Sequence, residues 1–253
     1  MIASEKAYFT EIVTGAPSPC GDAATLDVCV LEHRPCKACP FAAQAAARLV
    51  VQGEYATEVR KWLTLRFDVS APHAPIPIDH SPTLGRKEAP ITIVEFADFE
   101  CPHCGKIAPK VHDLATLPVG SLSGKLRLVF KHMPLAMHPR AEPAARAAWA
   151  AGQQGKFWPM HANLFAHQDT LEDADLTAMA KAVGCDLKKW DADWRSDAAR
   201  AQVAADYALG EKVGVIGTPS LFIDGRKFVP LGTDDYDLQL RRWLEIELTL
   251  VAP

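Results

Sequence analysis

Cys101 and Cys104, separated by Pro102 and His103, are the residues of this 253-residue chain best suited to chemistry. Two thiols this close can exchange with a disulfide, one attacking as a thiolate and the other resolving the mixed disulfide. The attacker must be an anion, and the unpaired amides and positive dipole end of a helix N-terminus favour one. The flanking sequence predicts that placement. Ile91-Thr92-Ile93-Val94-Glu95-Phe96 is rich in β-branched and aromatic residues and bounded upstream by Gly85 and Pro90, so it reads as a buried strand. Ile107, Val111, Leu114 and Ala115 then recur at helical spacing, so a helix begins at or near the pair. Pro102 suits a first helical turn, where no amide is needed. His103 is expected to be a further donor within reach of the Cys101 sulfur. A C-x-x-C between strand and helix reads as a redox motif, whereas a structural zinc half-site needs a second ligand pair.

The Cys-Pro-His-Cys run, the strand before it and Pro109 resemble the DsbA branch of the thioredoxin superfamily. That resemblance implies Cys101 as the exposed nucleophile and Cys104 as the buried resolving thiol. It also implies that Glu95 is an acid beneath the disulfide, able to take a proton from the resolving cysteine. A second match, Gly217-Thr218-Pro219-Ser220-Leu221-Phe222-Ile223-Asp224-Gly225, lies more than a hundred residues downstream. It is similar to the family segment whose cis-proline faces the cysteines, and proline is the residue for which a cis bond costs little. Thr218 and Pro219 are then expected to bind extended substrate backbone as an added strand.

These parts require a scaffold, and the rest of the chain supplies one. Leu126–His132 reads as a second strand after the Cys101 helix, which makes a βαβ unit with parallel strands. A helical stretch from about 140 to 213 resembles the insertion of DsbA-like proteins. Two short strands flank Asp224-Gly225, a hairpin signal with I′ turn chemistry, and a last helix carries Leu240, Trp243 and Leu244. The fold class is α/β, a thioredoxin-like fold with a helical insertion, at 83–253. Before it, residues 1–70 read as a small all-helical module, and 71–82, rich in proline, as a semi-rigid linker.

That module holds Cys20, Cys29, Cys36 and Cys39, for which three readings stand. Two structural disulfides, most simply Cys20–Cys29 and Cys36–Cys39, would staple a core too small to be stable alone. Alternatively Cys36 and Cys39, at the start of a helix, are a second redox pair. The third is a four-cysteine zinc site, disfavoured because only one of the two pairs has knuckle-like spacing. No metal is assigned to the histidines, since no two of His132, His138, His161 and His167 have the i, i+4 spacing of a helical ligand pair.

Net charge is −4 with no basic run, so neither nucleic acid nor an anionic membrane surface is an expected partner. No apolar stretch approaches the ~20 residues of a membrane span. Cysteine usage points to an oxidising compartment, a bacterial periplasm or cell surface. The start, Met1-Ile2-Ala3-Ser4-Glu5-Lys6, carries no basic-then-apolar signal, which leaves the cytoplasm open. The expected activity is thiol–disulfide exchange with cysteines of protein substrates, in the oxidising direction and without an organic cofactor. A membrane oxidase or reductase must reset the pair. Two alternatives remain, an isomerase or reductase forming a homodimer through the N-terminal module, and a non-catalytic holdase or metal-binding protein.

Overall fold

A computed structural model describes residues 1–71, 73–117 and 120–251. Pro72 of the expected linker and the last two positions of the expected 83–253 domain lie outside the described residues. The chain folds as two compact units, one of Met1–Ala74 with Ile223–Pro253, the other of Pro75–Phe222.

The first unit opens with four helices, α1 (Ala3–Gly15), α2 (Leu26–Leu31), α3 (Ala38–Val51) and α4 (Ala56–Phe67). In α3 the buried Ala42, Ala45, Ala46, Leu49 and Val50 follow the 3.6-residue period, and their small side chains let neighbouring helices approach. They share a core with Ile12, Leu26, Val59, Leu63 and Phe67. The disulfides differ from the simplest sequence pairing. The structure joins Cys20 to Cys36 and Cys29 to Cys39, not Cys20 to Cys29 and Cys36 to Cys39. The reason is burial: Cys29 of α2 and Cys39 in the first turn of α3 both face the core, while Cys36 precedes the helix on the less buried side with Cys20. Cys36 and Cys39 are therefore not a C-x-x-C disulfide here.

In the second unit a short strand β1 (Thr83–Gly85) precedes β2 (Ile91–Ala97), α5 (Pro102–Thr116) and β3 (Leu126–His132). Strands β2 and β3 pair in parallel from Ile91↔Leu126 to Ala97↔His132, the expected βαβ unit. Strand β1, which the sequence reading does not include, pairs antiparallel to β3 and makes the sheet mixed. Gly85 has φ 87, and a Cβ there would lie 2.4 Å from the Leu126 carbonyl oxygen, so only glycine fits that approach. The insertion is five helices, α6 (Ala141–Gly152), α7 (Phe157–Ala166), α8 (Asp173–Ala182), α9 (Leu187–Trp194) and α10 (Asp197–Lys212). Strand β4 (Ser220–Ile223) follows, and the strands lie in the order β1-β3-β2-β4.

Past β4 the chain rejoins the first unit through β5 (Arg226–Lys227) and α11 (Tyr236–Val251). The turn before β5 has φ 48 at Asp224 and 81 at Gly225, matching I′ chemistry. Compactness thus divides the expected 83–253 domain before its end. The physical reason lies on α11. Trp243 stands edge-on to Trp62, whose Nε1 donates to the Val229 carbonyl at 2.8 Å. Arg66, 2% exposed, holds Glu247 at 2.8 Å, donates to the Trp243 carbonyl and lies over the Trp243 ring. Burial lowers the Arg66 pKa to about 10, against the pull of Glu247, so it remains a cation at neutral pH. Truncating Arg66 to alanine would strand the Glu247 carboxylate. Removing one partner of a buried ion pair costs about 3–5 kcal/mol. A corresponding fall in urea-unfolding stability is expected for Arg66→Ala.

Candidate active site

The site is set by how β2 ends. After Ala97 the chain turns through Asp98, Phe99 and Glu100, and Asp98, 1% exposed, organises that turn. Its Oδ1 accepts the Glu100 amide at 2.8 Å, while Oδ2 accepts the Leu135 amide at 2.8 Å and bonds His138 Nδ1 at 2.7 Å. Cys101 follows as the N-cap of α5 in extended conformation, with Pro102 at the first helical position. A second clamp reaches in from beyond α7. Gln168 Nε2 donates to the carbonyls of Phe99 and Cys101, both at 2.8 Å, so one side chain grips the backbone on both sides of the turn. Gly105 makes room for it, since a Cβ there would lie 2.1 Å from Gln168 Oε1.

Among the described residues Cys101, Cys104 and Cys185 are not joined in disulfides. The Cys101 thiol pKa is lowered to about 5. Its largest cause is a hydrogen bond from the Cys104 side chain. This outweighs burial, and Thr218 with the backbone amides of Cys104 and His103 adds to the effect. Cys104 is pushed in the opposite direction, far above its ordinary value, first by burial and then by its bond to Cys101. The two sulfurs are thus pushed in opposite directions, Cys101 down by its bond with Cys104 and the start of α5, Cys104 up first by burial and then by the same bond. Across from them the Thr218–Pro219 bond is cis, and the Thr218 carbonyl lies 3.4 Å from Cys101 Sγ.

Two expectations need correction. Cys101 is only 5% exposed, because it packs with Ala97, Phe99 and Cys104 in one apolar cluster; Cys104 is fully buried. The His103 side chain is exposed, and the help it gives the Cys101 anion comes from its backbone amide. Cys185 is buried, as a small apolar side chain would be.

Glu95 lies on β2 two residues before Ala97, so its side chain shares the strand face that packs on the cysteine cluster. It is fully buried, neither carboxyl oxygen has a hydrogen-bond partner, and burial raises its pKa to about 8. A carboxyl so placed carries its proton at neutral pH and can exchange it. His132 and His161 sit among Phe99, Phe130 and Phe157 with no ring nitrogen bonded, and burial lowers them to about 4 and about 3. Both are neutral packing groups. His138 differs: partial burial opposes its charge, yet the Asp98 bond and the Cys101 and Glu100 charges raise its pKa. Sequence reasoning assigns no role to Asp98, His138 or Gln168. The only signal for them is the acidic residue three before Cys101, as the other two lie in the insertion and its approach.

A thioredoxin family model matches residues 78–242. A thioredoxin-like oxidoreductase from Silicibacter pomeroyi is 30% identical with a TM-score of 0.57, the match covering 66% of this chain and 91% of that one. BdbD from Bacillus subtilis is 25% identical with a TM-score of 0.58, covering 70% of this chain and 97% of BdbD. Among curated relatives, the Na(+)/H(+) antiporter NhaA 3 of Salinispora tropica is 41% identical over 154 residues. That match covers 60% of this chain and 23% of the relative, so the chain is similar to a minor part of a longer protein. Among the described residues no helix is long and apolar enough to cross a membrane.

Because the Cys104 side chain is the largest cause of the Cys101 shift, Cys104→Ala should raise the Cys101 pKa from about 5 towards the ~8.5 of a free thiol. Thiolate absorbance followed across pH measures it; an unmoved titration would remove the Cys104 bond as the cause. A depressed thiol pKa stabilises the fold above the unfolded-state value, and that stability is lost as pH falls through the folded value. The reduced protein should therefore gain stability relative to the disulfide form as pH rises from about 5 to the ordinary thiol range. Paired urea titrations of the two redox forms at pH 5 and pH 8 test the sign.

Proposed function

The chain belongs to the thioredoxin family, and on that premise we propose that it is a DsbA-like thiol–disulfide oxidoreductase that oxidises cysteine pairs in other proteins. The observation that carries this direction is the opposed acidity of Cys101 and Cys104. A thiolate stabilised at Cys101 stabilises the reduced pair, and the more stable the reduced pair, the more oxidising its disulfide.

In the proposed cycle a substrate thiolate attacks Cys101 Sγ of the Cys101–Cys104 disulfide. The Cys101–Cys104 bond breaks and the Cys104 sulfur leaves with the electron pair. Its high proton affinity demands a proton at once, and Glu95, buried and protonated at neutral pH, is the proposed source. The second substrate thiolate then attacks the substrate sulfur of the mixed disulfide. Cys101 departs as the thiolate that the start of α5 already stabilises. Two electrons have moved from the substrate to the pair. Thr218 and cis-Pro219, facing Cys101, are proposed to hold the substrate as an extended strand. A separate oxidase, of the membrane-bound kind, would return the dithiol to the disulfide. The Cys20–Cys36 and Cys29–Cys39 disulfides support work outside the cytosol, in a periplasm or at a cell surface.

The test is oxidation of a reduced dithiol peptide by the oxidised protein. Rapid turnover is expected, with Cys101→Ser abolishing it and Thr218→Val changing the release of mixed disulfide without abolishing oxidation. A homodimer that reshuffles scrambled disulfides faster than it oxidises dithiols would overturn the assignment in favour of an isomerase.

A further inference from the structure

The four cysteines of the first unit have a geometry that two staples do not need. Disulfides Cys20–Cys36 and Cys29–Cys39 could lie anywhere that joins their segments, yet all four sulfurs lie within 4.8 Å of one another. Tetrahedral zinc with Zn–S of ~2.3 Å needs sulfur–sulfur edges of roughly 3.8 Å. The ligands come from separate places, Cys20 in the loop after α1, Cys29 in α2, Cys36 before α3 and Cys39 in its first turn. Such a set can surround an ion. We propose that this cluster is a redox-gated zinc site, closed as two disulfides when oxidised and binding Zn²⁺ as a tetrathiolate when reduced.

The surroundings suit both states. Cys29 and Cys39 are buried, which keeps water from a closed site, while Cys20 and Cys36 are partly exposed. Both partly exposed members line a cavity of about 450 Å³, which gives a small reductant access to them. Four thiolates around one dication leave a charge of −2. The positive end of the 14-residue helix α3, whose first turn holds Cys39, favours that charge. The spacing that disfavours zinc in the sequence, one knuckle-like pair rather than two, matters less once the fold has brought Cys20 and Cys29 to the other pair.

The conversion balances. Two dithiol reductant molecules give four electrons and four protons to the two disulfides and become disulfides themselves. The four resulting thiols then lose four protons as Zn²⁺ binds. The reverse step needs a disulfide oxidant and releases the ion. No part of it requires the oxidase reading of Cys101 and Cys104.

The test uses the full chain carrying Cys101→Ser and Cys104→Ser, so that no other paired thiols are present. The protein is reduced with a phosphine, freed of reductant under anaerobic conditions, given Zn²⁺ and passed through gel filtration. One zinc per chain is expected after reduction and none without it. Co²⁺ in place of zinc should give the visible bands of a tetrahedral tetrathiolate, lost when one equivalent of Zn²⁺ is added. Cys29→Ser should reduce zinc retention at least tenfold; if it does not fold, Cys20→Ser, at a less buried position, replaces it. Failure of the reduced, folded chain to retain zinc overturns the proposal. Retention unchanged by either serine variant, or cobalt spectra of an oxygen-ligated site, overturns it as well. A chain that unfolds on reduction and is not refolded by zinc also sinks it.

Discussion

A sulfur anion in a nearly closed position is the constraint on which the second unit depends. Cys101 is 5% exposed, and taking an unpaired charge out of water costs far more than a typical hydrogen bond returns. Only a fixed set of donors can offset that. Here the set is the Cys104 side chain and the first amides of α5, whose direction is fixed by the helix itself. Because these donors act over hydrogen-bond distances, the backbone at Cys101 cannot drift. The Asp98 carboxylate ties the preceding turn to Leu135 and His138, and Gln168 grips the carbonyls of Phe99 and Cys101. The helical insertion thus reaches the site through Gln168, placed where Gly105 leaves space for it, and through the Arg140 amide, which donates to Glu100 at 2.7 Å.

What could be read from the sequence follows from where the information lies. The C-x-x-C and the strand before it are legible because each is local, residue type and spacing carrying the meaning, while the Thr218–Pro219 segment stands out only through a family resemblance. Glu95 is legible through a resemblance, and the structure adds what the sequence lacks, burial without a partner. Asp98, His138 and Gln168 are not legible, since they act on backbone groups brought near by folding and their spacing follows no period. The exposure of Cys101 and the orientation of His103 fail for a related reason. Both depend on how tightly the loop packs against Phe99 and the insertion, which no window of sequence contains. Strand β1 fails on length, three residues being too few for an alternation to register.

The first unit poses the opposite problem, a core too small to hold itself together. Its helices are short, α2 only six residues, and short helices depend on tertiary contacts for stability. Three devices compensate. Two disulfides tie α2, α3 and the loop after α1; the chain's last helix adds Trp243 and Leu244; and Arg66 and Glu247 form a buried pair between α4 and α11. This explains why the helical character of 1–70 is legible while cysteine connectivity is not. Helical spacing shows within one segment at a time, but four cysteines allow three pairings that only packing distinguishes.

The two cysteine sets differ in how each fold treats its sulfurs. At Cys101 and Cys104 the surroundings separate the two thiols, favouring the anion on one and the proton on the other. Of Cys20, Cys29, Cys36 and Cys39, the two partly exposed members form one bond and the two buried members the other, so one disulfide joins the loop after α1 to the segment before α3 and the other joins α2 to α3. Exchange at Cys29–Cys39 would require opening the core, because a thiolate must approach a sulfur in line with the bond it breaks. Cys20–Cys36, on the cavity wall, has no such protection. Reduction of the cluster must therefore begin at Cys20–Cys36, and the buried pair follows only once the first bond has released the segment before α3.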